Sequence, residues 1–422
     1  MDGFQAKPFF TALFDAAVAA ADPERTIEKF LPQKPKGRTV VIGAGKGAAQ
    51  MARAFERAWD GPLAGVVVTR YGYGAACQRV AVLEAAHPVP DEAGMEASRR
   101  LFQAVRGLTA DDLVVALISG GGSALLPAPP AGMTLADEIA VNEALLASGA
   151  PISAMNTVRK HLSTLKGGRL AAAAHPARVV TLVVSDIPGD NPAFVASGPT
   201  VPEGSARADA LAVVDAWRLK LPEAAMRHLA SAAADAPKPG DAVFSRNAVH
   251  VIASAAVSLE AAAAEARRRG FEAVILSDAI EGEARDVAGV HAAIAREIAT
   301  RDRPFRKPVL LLSGGETTVT VRGKGGRGGR NSEFLLAFAL AVDGVAGIRA
   351  FAADTDGIDG SENNAGAFAD FTSAARMRAA GADPRALLMR NDAWNAFDAV
   401  GDLFVPGPTG TNVNDLRAVL VV

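Results

Sequence analysis

The sequence predicts an α/β protein of two domains. Short β-branched runs alternate with alanine-rich helical patterns along the chain, which is the signature of βαβ units. The alternation gives way to a wholly helical pattern after residue 204 and restarts near 247. Within that interval DAPKPGDAVF (235–244) has the proline, glycine and charge content of a linker. The boundary is placed there, giving an N-terminal domain over 1–238 and a smaller C-terminal α/β domain over 239–422. With 422 residues, 50% of them hydrophobic, the chain can bury one or two substantial cores.

The strand candidates of the first half are RTVVIG (38–43), GVVVTR (65–70), DLVVALISG (112–120) and ARVVTLVVSD (177–186). Between the first two, AAQMARAFERAWD is apolar on one helical face. The second half offers NAVHVIAS (247–254), FEAVILSD (271–278), PVLLLSGGETTVTV (308–321), GIRAFAAD (347–354) and RAVLVV (417–422). LVVALISGGGS and PVLLLSGGETT each run an apolar strand into Ser-Gly-Gly, an echo that duplication or convergence on one loop type would explain.

Forty-four Lys+Arg against 46 Asp+Glu give a net charge of −2, so no global field exists to hold a nucleic acid. A single cysteine, Cys77, excludes a disulfide framework and a cysteine-based zinc site, and points to a reducing compartment, with the cytoplasm as the default. The N-terminus MDGFQAKPFF lacks the pattern of a signal peptide, and no apolar run reaches the roughly 20 residues needed to span a bilayer, so no membrane association is expected. His87, His161 and His175 have no partner at metal-ligand spacing.

VVIGAGKGAAQMA joins a strand to a helix start through a glycine turn. Gly43, Gly45 and Ala48 match G-x-G-x-x-A, in which glycines let the backbone approach a phosphate at a helix N-terminus, with Gly47 in the same turn. A dinucleotide site also wants an acid at the end of the next strand; GVVVTR ends in Thr69-Arg70, which counts against NAD. The P-loop spacing G-x-x-x-x-G-K-[ST] is absent too. Lys46 stands inside the turn, either as a solvated loop lysine or with its ammonium directed at the anion that the helix N-terminus would hold.

ISGGGSALLPAP ends another strand with Ser119, Gly120, Gly121, Gly122 and Ser123, forming either an amide nest for an oxyanion or a tight strand-to-helix turn. It is not the G-x-S-x-G elbow of hydrolases. MNTVRKHLSTLKGGRLA (155–171) reads as a helix closed by Gly167-Gly168, with Asn156, Lys160 and Ser163 on one face and Arg159 and Lys166 beside them; a solvated basic face is the competing explanation. VVSDIPGDNPAFVASGPT places Asp186, Asp190 and Asn191 in a loop after a strand, where carboxylates can hold Mg²⁺, accept a proton or merely close Asx turns. AADTDGIDGS adds Asp354, Asp356 and Asp359 without EF-hand spacing, and SGGETT adds Gly314, Gly315 and Glu316. TVRGKGGRGGRNSEF (320–334) packs five glycines and four basic residues between a strand and a helix, which suits a mobile loop with Arg330 at its helix-entry end. Glycine nests, cations and acids at strand ends together suit phosphoryl transfer.

Eight ordered stretches resemble the class II glycerate kinases: GAGKGAAQMA, SGGGSALL, MNTVRKHLSTLKGGRLA, SDIPGDNPAFVASGPT, SGGETTVTV, GRGGRNSEF, DTDGIDG and GPTGTNVND. The resemblance covers nearly the whole chain. It implies a Rossmann-like N-terminal domain, a smaller C-terminal α/β domain, an active site in the cleft between them, and transfer of the ATP γ-phosphate to the 2-hydroxyl of D-glycerate with Mg²⁺. Lys46 and Arg330 are then the catalytic cations, and Asp190 is a base or metal-associated carboxylate. ATP contacts are expected from Gly43, Gly45, Gly47, Ser119 to Ser123, and Gly314 to Glu316. D-Glycerate contacts are expected from Asn156, Arg159, Lys160, Asp356 and Asn414, and metal contacts from Asp186 and Asp190. The family usually carries glutamine where Ser332 stands, leaving that side chain's contact open. A homodimer stays open as the assembly.

The alternative reading is an NAD(P)H-dependent hydroxypyruvate reductase, a label some relatives carry. It is weakened by the missing ribose acid, although Arg70 would suit NADP. A nucleic-acid module built on the glycine-arginine stretch conflicts with the net charge and the lack of interleaved aromatics.

Overall fold

The computed structural model describes residues 5–321 and 325–422. Fourteen strands occur among them. The first six are β1 (Thr39–Ala44), β2 (Ala64–Arg70), β3 (Val80–Ala85), β4 (Leu113–Ser119), β5 (Arg178–Val184) and β6 (Ala248–Ala253). Then follow β7 (Glu272–Ser277), β8 (Gly282–Glu283), β9 (Val309–Ser313), β10 (Thr317–Thr318), β11 (Ile348–Asp354), β12 (Gly366–Asp370), β13 (Leu403–Phe404) and β14 (Asp415–Val421). The chain divides into two compact units, Pro23–Ile252 and the remainder, in which the residues up to Asp22 join Ala253–Val422.

The Pro23–Ile252 unit carries a six-stranded sheet in the order β3-β2-β1-β4-β5-β6. The pairs β2–β3, β1–β2, β1–β4 and β4–β5 are all parallel. Parallel strands covered on both faces are continuous apolar runs, and every residue of β1 and β4 is buried. Val40, Ile42, Val114, Ala116 and Ile118 point into one core together with Leu101 and Val105 of the helix Glu92–Val105. The order in which the chain adds strands reverses at β1, with β2 and β3 on one side and β4 to β6 on the other. In open α/β sheets that reversal opens a crevice beyond the carboxyl ends of the strands.

The second unit carries the sheet β13-β12-β11-β14-β9-β7. Alternation predicts parallel pairing here too, yet only β7–β9 is parallel; β11–β12, β11–β14, β12–β13 and β14–β9 are antiparallel. The connection from β11 to β12 has no helix to carry the chain back across the sheet, so it returns in the opposite sense. One face packs on Phe334, Leu335 and Phe338 of the helix Arg330–Ala341. The other face is covered by the helices Ala6–Ala21 and Ala255–Arg268, with Phe10 and Phe14 against Phe351. That packing explains why the first helix belongs with the C-terminal residues.

Several elements differ from the sequence reading. The strand predicted over 308–321 breaks at Gly314-Gly315, where Gly315 takes φ +102°, leaving β9 and the two-residue β10. The strand near 247–254, expected to restart the alternation in the second half, is the sixth strand of the first sheet. The expected linker DAPKPGDAVF ends on Phe244, which is buried in the core of the first unit. β3 and β12 were missed because their alanines and glycine dilute the β-branched signal.

Phe351 is fully buried, with Phe10, Phe14, Phe368 and Phe404 around it. Phe351→Ala is expected to cost about 3–5 kcal/mol, read as a lower urea midpoint with an unchanged slope.

Candidate active site

In the first unit the glycine turn and the serine-glycine turn abut. β1 and β4 run in register with Ala44 opposite Ile118, so the two turns that follow emerge side by side. The Lys46 N–H donates to the Gly120 carbonyl at 2.8 Å, and the Gly47 N–H donates to Ser119 Oγ at 3.0 Å. Thr69 Oγ1, at the end of β2, donates to the Lys46 carbonyl at 3.1 Å. These bonds hold the backbone of Lys46, while its ammonium has no ion-pair or hydrogen-bond partner among the described residues. Gly43, Gly45, Gly47 and Ser119 to Ser123 are therefore brought together with Lys46, as one phosphate cradle would require.

Asp186 follows β5 and stands against the same turn: a Cβ on Gly120 would overlap its carboxylate, at 1.6 Å from Oδ2. Gly120 is needed for that close approach. Asp190 lies four residues further on, in a left-handed conformation at φ +52°, with its N–H donated to the Ile187 carbonyl. Ser123 Oγ meets Ser197 Oγ at 2.8 Å, and Ser197 donates to Asn156 Oδ1 at 3.0 Å. Ala196 and Ser197 both adopt positive φ, a strained turn that delivers the Ser197 hydroxyl to this chain of bonds.

The basic helix ends earlier than its sequence suggests. It spans Ile152–His161, and Ser163, predicted on its face, instead accepts the Leu165 and Lys166 N–H groups in the turn beyond. Nor is its basic face solvated. Lys160 is buried against Glu203 and Lys166 against Glu138, the latter at 2.8 Å. Burial first, then the Lys238 charge, pulls Lys160 down to about 8. Arg159 donates to Asn142 Oδ1 at 2.9 Å. Of the three expected glycerate contacts on this helix, Asn156 is the one bonded into the network that reaches Ser123.

The second unit gathers a dense charge cluster. Arg330 Nε donates to Asp415 at 2.8 Å and Nη1 to Glu316 at 3.2 Å, while Nη2 bonds Asp354. Arg417, fully buried, bonds the other oxygen of Asp415 and donates to the Gly314 carbonyl at 3.2 Å. Burial opposes the charge of Arg330, but Asp415, Asp354 and Glu316 outweigh it and hold the guanidinium firmly ionised. Asp354 moves the other way: burial raises its carboxyl well above the usual range, and Arg330 offsets this only in part. Of the residues expected to contact ATP in this unit, Glu316 is bonded to Arg330 and the Gly314 carbonyl to Arg417, whereas Asp356 and Asn414 shape turns. Asp356 Oδ1 accepts the Ile358 N–H at 2.8 Å, and the Asn414 carbonyl accepts from Thr355.

Asp359 caps the helix Arg330–Ala341 from outside, taking the Asn331 and Ser332 N–H groups at 2.9 and 2.8 Å. Ser332 Oγ in turn accepts the Gly329 N–H at 3.0 Å, half of a capping box, and Asp359 takes the part that a glycine N-cap cannot play. A cavity of about 340 Å³ borders Arg330, Gly329 and Glu333. Arg322, Gly323 and Lys324 of the expected mobile loop lie outside the described residues. In its described remainder Val321, Gly325 and Gly326 are exposed, while Arg327 stacks on Trp394 at 3.6 Å and pairs with Glu362.

Sequence reasoning missed Asp415, Arg417 and His87. Asp415 closes the motif GPTGTNVND, but its partners are 85 residues away in Arg330 and two away in Arg417.

An open-sheet unit with paired glycine turns and a second unit holding a locked arginine define a protein built to handle anions. A model described as a domain of unknown function (DUF4147) matches residues 9–230, and one described as the MOFRL family matches 309–415. An Agrobacterium vitis protein named provisionally as a hydroxypyruvate reductase is 52% identical over 99% of this chain and 94% of its own length. A D-glycerate 2-kinase from Thermotoga maritima is 39% identical, covering 96% of each chain. The crystal structure of a glycerate kinase from Thermotoga maritima superposes with a TM-score of 0.90 at 38% identity, over 99% of both chains. The chain belongs to the glycerate kinase family that its eight motifs resemble, with DUF4147 and MOFRL parts.

The folded Asp354 carboxyl keeps its proton at a pH where the unfolded one has lost it. Its contribution to stability is therefore present below the ordinary aspartate value, near 4, and is lost as pH rises from there towards the folded value. Asp354→Asn is expected to flatten that part of the urea stability profile while leaving the neutral-pH fold intact.

Proposed function

We propose that this protein transfers the γ-phosphate of ATP to the 2-hydroxyl of D-glycerate, giving 2-phosphoglycerate and ADP. It is an ATP-dependent glycerate kinase. The observation that carries the reading is the free ammonium of Lys46, held by three backbone bonds in a glycine turn beside Ser119–Ser123. The backbone amides of the serine-glycine turn bind the phosphates, since the Lys46 and Gly47 N–H groups are committed to Gly120 and Ser119, and the Lys46 ammonium offsets the charge that develops on the transferring group. Arg330, bonded to Glu316, is the second catalytic cation, and Gly314, Gly315 and Glu316 are further contacts for ATP. Asp190 orients or deprotonates the glycerate hydroxyl, and Asn156 is the contact for glycerate best supported by its bonds to Ser197.

The strand order 3-2-1-4-5-6 supports a Rossmann-like reading of the first unit, with the nucleotide phosphates at the reversal between β1 and β4. Among the described residues no three His, Cys, Asp or Glu side chains form a metal cage. This suits Mg²⁺ carried on nucleotide phosphates, which needs only one or two carboxylates. Asp186, against Gly120, is placed to hold it, with Asp190 in the same loop; when bound, the ion would neutralise phosphate charge. No helix of the described residues is long and apolar enough to cross a membrane, and a cytoplasmic setting fits the single cysteine.

The reductase name of the Agrobacterium vitis relative keeps one competing reading in view. Against it, β2 ends in Arg70, whose guanidinium stacks on Tyr73 at 4.3 Å, where a dinucleotide site would place the ribose acid.

Phosphorus NMR with ATP, Mg²⁺ and D-glycerate, run beside an optical assay of hydroxypyruvate with NADH and NADPH, separates the two. The expected result is a 2-phosphoglycerate signal with ADP and silent nicotinamide. Nicotinamide oxidation without a phosphorylated product would overturn the kinase. Lys46→Ala is expected to lower kcat by roughly 10²–10³-fold with an unchanged melting temperature; turnover near wild type would remove Lys46 from the chemistry.

A further inference from the structure

We propose that His87 is a further active-site residue, whose imidazole donates a hydrogen bond to the phosphate that the paired glycine turns hold. The inference rests on the assignment of those turns and Lys46 to ATP. His87 follows β3, and its Nε2 lies 3.0 Å from where a Cβ on Gly121 would stand; the same point is 3.1 Å from Lys46 Cγ. Gly121, at φ +77°, is thus the place where the imidazole and the lysine stem meet. Any larger residue there would push them apart.

The ring is half-buried, yet among the described residues neither nitrogen has a hydrogen-bond partner. The interior histidines are tied to the fold: His161 Nδ1 bonds the Ala234 carbonyl at 2.7 Å, its Nε2 being buried without a partner among the described residues, and His291 bonds both the Val287 carbonyl and Ser313 Oγ. A ring nitrogen with no partner among the described residues, beside Gly121 and the Lys46 stem, is open to a ligand held by the turn.

The charged groups that act on His87 are Lys46 in the turn after β1 and Arg70 at the end of β2. Burial first, then these two cations, holds its pKa at about 4, so the ring is neutral at physiological pH and keeps one N–H. A neutral donor between two cations adds specificity for phosphate without adding repulsion when the site is empty. No bond is made or broken at His87. Its part is to hold a phosphate oxygen that gains charge in the transition state.

The test uses the full chain and ATP. The His87 signal, identified among six histidines by its loss in His87→Gln, is titrated by NMR with and without ATP. ATP should raise the His87 pKa from about 4 towards the ordinary histidine value near 6.5, because bound phosphate reverses the local charge. His87→Ala should lower kcat about 100-fold with little change in the KM for glycerate. His87→Gln, which keeps an N–H donor near the Nε2 position, should recover about tenfold of that loss. An unmoved His87 titration, with Lys46→Ala still weakening ATP binding, overturns the proposal and leaves the phosphate cradle standing. If neither Lys46→Ala nor His87→Ala changes ATP binding, the cradle assignment fails and His87 with it. The wild-type titration decides the matter even where a variant folds poorly.

Discussion

Two carboxylates stand directly opposite each other at the end of the antiparallel β11–β14 pair, Asp354 facing Asp415. Like charges in that position destabilise a sheet, and both residues are buried, so the arrangement survives only with counter-charges built around it. Arg330 and Arg417 provide them, one from the helix start and one from β14 itself. Much of the local structure follows from this demand. The helix must begin where Arg330 can reach both acids, and Asp359 and Ser332 cap it there. β9 must break at Gly314, whose carbonyl accepts from Arg417. Burial first, and then the neighbouring charges of Asp415 and Asp356, raise the Asp354 carboxyl well above the usual aspartate range, which Arg330 offsets only in part.

The first unit solves a different problem. There the parallel pairing of β1 with β4 brings two glycine-rich turns together, with no carboxylate spent on the lysine between them. Lys46 can take an anion without giving up an existing partner. Arg330 cannot, but its guanidinium has five N–H donors, and three bonds to acids leave two to present. A compact ammonium in a glycine cradle and a planar fork clamped by acids are thus complementary ways to meet phosphate charge.

What the sequence made legible is what local backbone chemistry determines. The turns at Gly43–Gly47 and Ser119–Ser123 were readable because glycine at a strand end reports a conformation, and conformation needs no knowledge of the partner. Five of the six strands of the first sheet, all but β3, and the second sheet's longer ones except β12 were readable from β-branched runs. Pairing sense in the second sheet was not, since parallel and antiparallel strands buried on both faces share one apolar signature. The helix holding Asn156 and Lys160 was read too long because its basic residues look like a continuous amphipathic face. They belong to buried pairs with Glu138 and Glu203, 28 and 43 residues distant along the chain.

His87 and Asp415 show the same limit from the side of function. A lone histidine before a proline carries no signal by spacing, because its significance comes from Gly121, reached through the β1–β4 reversal. Asp415 likewise looks like one more acid in a loop until the register of β11 against β14 sets it opposite Asp354. In both cases the informative quantity is a missing or surplus partner, a property of three-dimensional neighbours. Composition balances charge over the whole chain at −2, and it hides that one unit holds surplus buried acid while the other leaves a lysine unpaired. A sum over the whole chain cannot reveal an imbalance that exists only among three-dimensional neighbours.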